Sequence, residues 1–182
     1  MSDSFHVEGA EVVFNSYVFD VERRTVRHGD KTFRRDVAVH PGAVAVLAIN
    51  DLGEIGFIRQ YRATFDDVLM EVPAGTRDVP GEPPLETAKR ELLEEMGCEA
   101  KEWTLLGNFM NSPGWSSQVM TIYEARGVIQ RERRPAGPEE RSASIVWLSP
   151  EKLKEALRGS SAIDSTTAIA LHRVFGTFLD EA

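Results

Sequence analysis

Residues 75–98 read GTRDVPGEPPLETAKRELLEEMGC, and within them Pro84 to Met96 forms the clearest helix of the chain. Pro84 suits a first-turn position, where its missing N–H costs nothing, and Gly97 suits a left-handed C-terminal cap. Leu85, Ala88, Leu92 and Met96 recur at helical spacing and supply an apolar face. Glu91, Glu94 and Glu95 stand three and four positions apart, so their carboxylates crowd onto one face. Like charges at that spacing destabilise a helix by roughly a few tenths of a kcal/mol per pair. A bound cation removes the repulsion, and an all-oxygen carboxylate set suits Mg²⁺ or Mn²⁺. Taken alone, the same pattern also serves as a solvated acidic face relieved by Lys89 and Arg90.

Outward from this helix the chain reads mostly as strands. Upstream, Glu11–Val21, Arg24–His28 and Lys31–Val39 carry β-branched and aromatic residues and predict an antiparallel meander, with a turn at Gly29-Asp30. Ala43–Ile49 is an unbroken apolar run after His40-Pro41-Gly42, the pattern of a strand buried on both faces. Asn50-Asp51-Leu52-Gly53 predicts a tight turn into a strand over Ile55–Gln60. Leu69–Val72 is a further short strand, ended by Pro73-Ala74-Gly75. Downstream, strands are expected near Trp103–Met110, Val119–Ala125 and Ser144–Leu148, with a loop over Gly127–Arg141. Two helices close the chain, around Pro150–Leu157 and Ser165–Leu179. Strands with helices set on them make an α/β or α+β protein.

A chain of 182 residues, 42% hydrophobic and 27% charged, has the composition of an ordinary soluble domain with a sizeable core. Its net charge of −8 argues against nucleic acid or an anionic membrane as partner. A phosphorylated substrate would therefore need local arginines or metal ions to offset repulsion. Cys98 is the only cysteine, which precludes an intrachain disulfide and makes a reducing cytoplasm the expected location. It reads as a small hydrophobe rather than a nucleophile. Met1–Ala10 lacks the features of a signal peptide, and Ala43–Ile49 is too short to span a bilayer.

The quoted stretch resembles the Nudix box, G-x5-E-x7-R-E-U-x-E-E-x-G-U with U aliphatic. Glu82, Arg90, Glu91, Glu94, Glu95 and Gly97 fall in register. Two departures stand out: residues 76–81 insert one position more than usual between Gly75 and Glu82, and Cys98 replaces an aliphatic residue. The extra residue should lengthen the loop and leave the helix untouched. The resemblance implies a Nudix fold, a mixed β-sheet sandwiched by helices, over residues 41–182. Residues 1–40 would form the β meander, which resemblance to ADP-ribose pyrophosphatases assigns to dimerisation. It also implies Mg²⁺ (or Mn²⁺) held by Glu91, Glu95, Glu94 and the carbonyl of Ala74. Arg90 would clamp the loop carboxylate Glu82 to the helix, a task suited to its forked guanidinium.

Three further stretches resemble ADP-ribose pyrophosphatases: Arg35–Ala48, Arg59–Arg62 with Met70–Gly75, and Asn111–Trp115. Arg62 would contact substrate phosphate, although a surface arginine at a strand end reads the same way. Glu71 is expected at a ribose or the metal shell, with a structural carboxylate as the alternative. Tyr17 and Phe19 are candidates to stack on adenine, but alternating aromatics in a strand also suit a core. The general base is expected at Glu139 or Glu140, before the last strand, where a mobile loop could swing in. That loop, with Arg131, Glu132, Arg133, Arg134 and Arg141, also reads as a solvated mixed-charge segment. Ser117-Gln118 stand where many ADP-ribose enzymes carry an acidic pair, which opens the substrate choice to other nucleoside-diphosphate sugars. The implied activity is Mg²⁺-dependent cleavage of a nucleoside-diphosphate sugar, ADP-ribose first, by a homodimer. The alternatives are a hydrolase of another nucleoside-diphosphate derivative and a non-catalytic ADP-ribose-binding sensor.

Overall fold

The computed structural model describes residues 4–158 and 163–176. Three antiparallel strands come first: β1 (Phe5–Asn15), β2 (Asp20–His28) and β3 (Lys31–Val39). The expected strand over Glu11–Val21 is not continuous, because β1 stops at Asn15 and Val21 already belongs to β2. The chain reverses at Ser16–Phe19, where the Ser16 N–H donates to the Phe19 carbonyl (3.1 Å). The Asn15 amide donates to Asp20 across the same hairpin at 2.9 Å. Such local side-chain bonds offer the backbone an alternative to the ladder. Tyr17 and Phe19 therefore sit in a turn, not a strand, and Tyr17 is fully exposed.

The second sheet contains β4 (Ala43–Ile49), β5 (Ile55–Arg62), β6 (Asp67–Glu71), β7 (Ala74–Thr76), β8 (Cys98–Met110), β9 (Val119–Gln130) and β10 (Ser144–Leu148). Its order is β10-β5-β4-β9-β8, with β6 on β5 and β7 on β4. The β4–β9 pair is parallel and β4 pairs antiparallel with β5 and β7, so the sheet is mixed. β4 is buried along its whole length, as its apolar run predicts. Ala43, Ala45, Leu47 and Ile49 enter one core and Val44, Val46 and Ala48 the other. A strand covered on both faces has no need of polar alternation.

Helix α1 (Pro84–Met96) packs Ala88, Leu92 and Met96 into the second core. On the opposite face, α3 (Pro150–Arg158) contributes Leu153 and α4 (Ser165–Phe175) contributes Ala170 and Leu171. The sheet is thus sandwiched by helices, as expected from the Nudix resemblance. The expected loop over Gly127–Arg141 is shorter, because β9 continues to Gln130 and a short helix α2 (Pro138–Ser142) starts at Pro138. The last helix was expected to reach Leu179; it ends at Phe175, and positions 177–179 lie outside the described residues.

The chain divides into two compact units. One holds β1–β3 through Gly42 together with Met110–Val119, and the other runs from Ala43 to Phe109 and from Met120 onward. Within the first, the Ala38 N–H donates to the Trp115 carbonyl (2.8 Å) and the Ser117 N–H to the Ala38 carbonyl (2.9 Å). Among the described residues, no helix is long and apolar enough to cross a membrane.

Candidate active site

The site is built where α1 meets the turn before β7. β7 joins the sheet through the Ala45–Ala74 pairing, so Pro73-Ala74-Gly75 does more than end a strand. The Ala74 N–H donates to Glu95 at 2.8 Å. One helical turn earlier, the Glu91 carboxylate lies against Gly75, where a Cβ would stand 2.0 Å from Glu91 Cδ. Only a residue without a Cβ lets the turn and the helix approach this closely. Glu91 and Glu95 are buried, 8% and 4% exposed, on the same face of α1 as Ala88 and Leu92.

Arg90 gathers the acidic groups around it. Its Nη2 reaches Glu82 and Asp78, both at 3.2 Å, and its Nη1 reaches Glu91 at 2.7 Å and Glu94 at 3.4 Å. The expected clamp between loop and helix is present in this geometry. Glu82 lies well below the usual carboxylate range because of its hydrogen bond from Arg90. The longer loop is taken up by a turn in which the Glu82 N–H donates to the Val79 carbonyl (3.2 Å), leaving α1 intact over Pro84–Met96. Gly97 caps α1 in the left-handed region at φ 62°, and Cys98 is buried in the core beside it.

Burial pushes the Glu91 carboxyl up to about 7, against the opposing charge of Arg90 and with the help of Glu94 and Glu140. Burial pushes Glu95 to about 8, opposed by the Ala74 N–H and reinforced by Glu91 and Glu140. Two buried carboxyls, each raised by burial and by neighbouring carboxylates, are the groups a cation would stabilise as anions. The donor set, carboxylates plus the Ala74 carbonyl, is all oxygen and fits a hard divalent ion. Among the described residues, no three acidic, His or Cys side chains are drawn together tightly enough to hold an ion. Arg90 Nη1 bonds to both Glu91 and Glu94, and that pairing holds their carboxylates toward the guanidinium.

The remaining predicted residues divide. Arg62 ends β5 and is paired with Glu71 of β6, Nη2 to Oε2 at 2.7 Å, so Glu71 orients the arginine. Both belong to the unit that holds α1, and Glu95 and Asp164 add to the negative field on Arg62. Glu139 and Glu140 sit on α2 rather than in a loop; Glu139 is exposed and Glu140 half-buried. Of the two, Glu140 carries the charge that raises both Glu91 and Glu95. Tyr17 and Phe19 belong to the other unit. Ser117 accepts the His40 N–H on its hydroxyl (3.0 Å), a bond that ties its loop to the end of β3. Arg133, assigned by composition to a solvated loop, is instead bonded to backbone carbonyls of α1 and α2. Only its tertiary partners reveal it, since nothing distinguishes it from Arg131 or Arg134 in the sequence.

A mixed sheet between helices, with an acidic helix laid against a glycine turn, defines a hydrolase of the Nudix class. Residues 39–167 match the NUDIX domain model, and the chain belongs to the Nudix family. It is similar to an ADP-ribose pyrophosphatase of Mycobacterium tuberculosis (36% identity, 93% of this chain and 84% of the relative). An ADP-ribose pyrophosphatase of Bacillus subtilis is 33% identical over 87% of this chain and 83% of its own length. A methanol dehydrogenase activator of Bacillus methanolicus is 34% identical over 78% of this chain and 76% of its own length. A crystal structure of an ADP compounds hydrolase shares the fold, with a TM-score of 0.79 at 24% identity, over 98% of this chain and 96% of that one.

Proposed function

We propose that this Nudix hydrolase cleaves the diphosphate of a nucleoside-diphosphate sugar, with ADP-ribose and Mg²⁺ (or Mn²⁺) as the leading pair. The observation that carries the reading is the burial of Glu91 and Glu95 against Gly75 and Ala74, in a chain similar to ADP-ribose pyrophosphatases over most of its length. Glu91, Glu95, Glu94 and the Ala74 carbonyl would hold the cation. When bound, such an ion neutralises diphosphate charge and lowers the pKa of a water it carries. Glu140 takes the proton of the attacking water, a role its half-buried place on α2 supports over that of exposed Glu139. Arg62, oriented by Glu71, faces the phosphate charge, and Arg90 keeps Glu82 on the helix. Water adds to one phosphorus and the bridging P–O bond breaks, giving AMP and ribose 5-phosphate from ADP-ribose.

Incubation with Mg²⁺ and a panel of nucleoside-diphosphate sugars, dinucleotides and coenzyme A, with product identification, tests this directly. Release of AMP and ribose 5-phosphate from ADP-ribose is the expected result. Turnover confined to another member would move the chain to the second reading, which Ser117-Gln118 favours. Tight ADP-ribose binding without turnover of any member would point to a sensor. Tyr17 and Phe19 remain candidates for the adenine, and Tyr17→Ala should raise the KM for ADP-ribose if the stacking assignment holds. The N-terminal meander is proposed to form a homodimer: β1 leaves Phe5, Val7, Val12 and Phe14 exposed, more apolar surface than a single edge strand usually presents. Light scattering that finds a monomer at micromolar concentration would remove that assignment. A cytoplasmic location is part of the same proposal, supported by a sequence with a single cysteine.

A further inference from the structure

Arg133 donates from its guanidinium to three backbone carbonyls and to no carboxylate among its described bonds. Nε bonds the Glu95 carbonyl, Nη1 the Ala143 carbonyl at 3.0 Å and Nη2 the Glu140 carbonyl at 2.6 Å. The Glu95 carbonyl lies at the C-terminal end of α1, where carbonyls lack intrahelical partners and the helix carries partial negative charge. Glu140 lies in α2, its carbonyl shared with the Ala143 N–H, and Ala143 is the cap that follows. α1 has no basic residue in its last turn, and the Gly97 N–H closes onto Leu92 and Leu93. The Glu95 carbonyl thus takes its donor from outside the helix.

The root of the arginine is held as well. The Arg131 N–H and the Gln130 amide both donate to the Gly97 carbonyl, at 2.6 and 2.9 Å. A Cβ on Gly97 would come within 3.0 Å of the Arg133 nitrogen. The stretch 130–133 is therefore docked on the C-terminal cap of α1, and a planar fork projects from it onto α2. A fork of fixed geometry sets a distance and an angle, which a flexible ammonium cannot do.

The Glu140 carboxylate accepts the Ala136 N–H at 2.7 Å, so its place follows that of the 136–140 segment, which Arg133 ties to the end of α1. We propose that Arg133 is a positioning residue that registers α2 against the C-terminal end of α1, and so presents Glu140 to the face that carries Glu91 and Glu95. This inference rests on the reading of Glu140 as the base.

The test compares Arg133→Ala, Arg133→Lys, Glu140→Gln and the double variant Arg133→Ala/Glu140→Gln, assayed on ADP-ribose with Mg²⁺. Amide hydrogen exchange and the Mg²⁺-induced rise in Tm are measured in parallel. Arg133→Ala should lower kcat by about 10- to 100-fold with KM nearly unchanged, since misplacement of a catalytic group acts on turnover. Arg133→Lys should fall between, and added guanidinium should restore part of the Arg133→Ala loss. The double variant should be little slower than Glu140→Gln, because the two residues act as one unit. The Arg141 and Ala143 amides, bonded to the Gly137 and Glu140 carbonyls, should exchange about tenfold faster or more in either Arg133 variant. The Mg²⁺-induced rise in Tm should persist, since α1 is left whole.

Wild-type kcat in Arg133→Ala with an impaired Glu140→Gln would overturn the inference, as would multiplicative losses in the double variant. Wild-type kcat in Glu140→Gln would sink the base assignment instead. The exchange rates would then decide whether Arg133 sets the register of α2. If Arg133→Ala fails to fold, the exchange and kcat of Arg133→Lys decide, and no change in either overturns the proposal.

Discussion

Gly75 shows how one residue type can be required by Glu91, far along the turn-and-helix unit, rather than by its own backbone. Its missing Cβ is the space in which the Glu91 carboxylate lies. Gly75→Ala should force Glu91 aside, with destabilisation of about 1–3 kcal/mol as for an overpacked core. Its hydrolysis of ADP-ribose should fall well beyond what that stability loss explains, which kcat measured below the melting range will show. Glu95 gives a sharper contrast between stability and activity. Burial raises its carboxyl to about 8, so the metal-free chain holds it mostly protonated at neutral pH. A glutamine keeps the acceptor for the Ala74 N–H without the charge. Metal-free Glu95→Gln should therefore melt no lower than the wild type, yet lose turnover and most of the Mg²⁺-induced rise in Tm. An unaltered Mg²⁺ response would remove Glu95 from the ligand set. The carboxylates themselves are legible in the sequence, since their spacing is helical. Which of Glu139 and Glu140 is half-buried is not, because adjacent residues differ only in direction.

At the scale of elements, α1 is the best-read part of the chain. Pro84 at its start, Gly97 at its end and the apolar stripe between are local signals, and the observed helix has those bounds. β4 is read equally well, because seven consecutive apolar residues bounded by breakers leave little alternative. The hairpin at Ser16–Phe19 and the helix α2 have no such local signature. The first is closed by a side-chain bond from Asn15 to Asp20, and the second meets Arg133 through the Glu140 carbonyl. Gly97 joins the legible and illegible parts. Gly97→Ala places a side chain at φ 62° and within 2.9 Å of the Arg131 carbonyl. The left-handed conformation alone costs about 1 kcal/mol, and the displaced 130–133 stretch adds to it. We expect a Tm drop by calorimetry accompanied by faster exchange at Ala143, the signature of a loosened α2. A Tm drop with unchanged exchange would confine the effect to the cap.

For the molecule as a whole, pH acts in two directions: the raised carboxyls of Glu91 and Glu95 favour the fold as pH falls, and His40, in the segment that enters β4, opposes it. His40 accepts the Gly42 N–H on Nδ1 at 2.9 Å, and burial holds its pKa below the ordinary 6.5. Between the folded and unfolded values the unfolded chain binds more protons, so the His40 contribution to stability rises with pH across that interval. Between about pH 7 and 5.5 Glu91 and Glu95 take up protons in both the wild type and His40→Asn, so the sign for His40 is read from the difference. On acidification the Tm of the wild type should fall relative to that of His40→Asn, which keeps an acceptor and does not titrate. Equal changes in the two proteins would exclude a contribution from His40. The sequence by itself determined the helix bounds, the doubly buried strand, the carboxylate face and its family, because each is encoded by neighbours within a few turns or by fixed spacing. The tertiary structure alone decided that Glu71 holds Arg62, that Gly75 makes room for Glu91, and that Glu140 is half-buried where Glu139 is exposed. It also drew Arg133 out of an ordinary basic stretch. Those four depend on the distances and directions of groups far apart in the chain, and such quantities exist only once the sheet, the helices and their connecting segments are packed together.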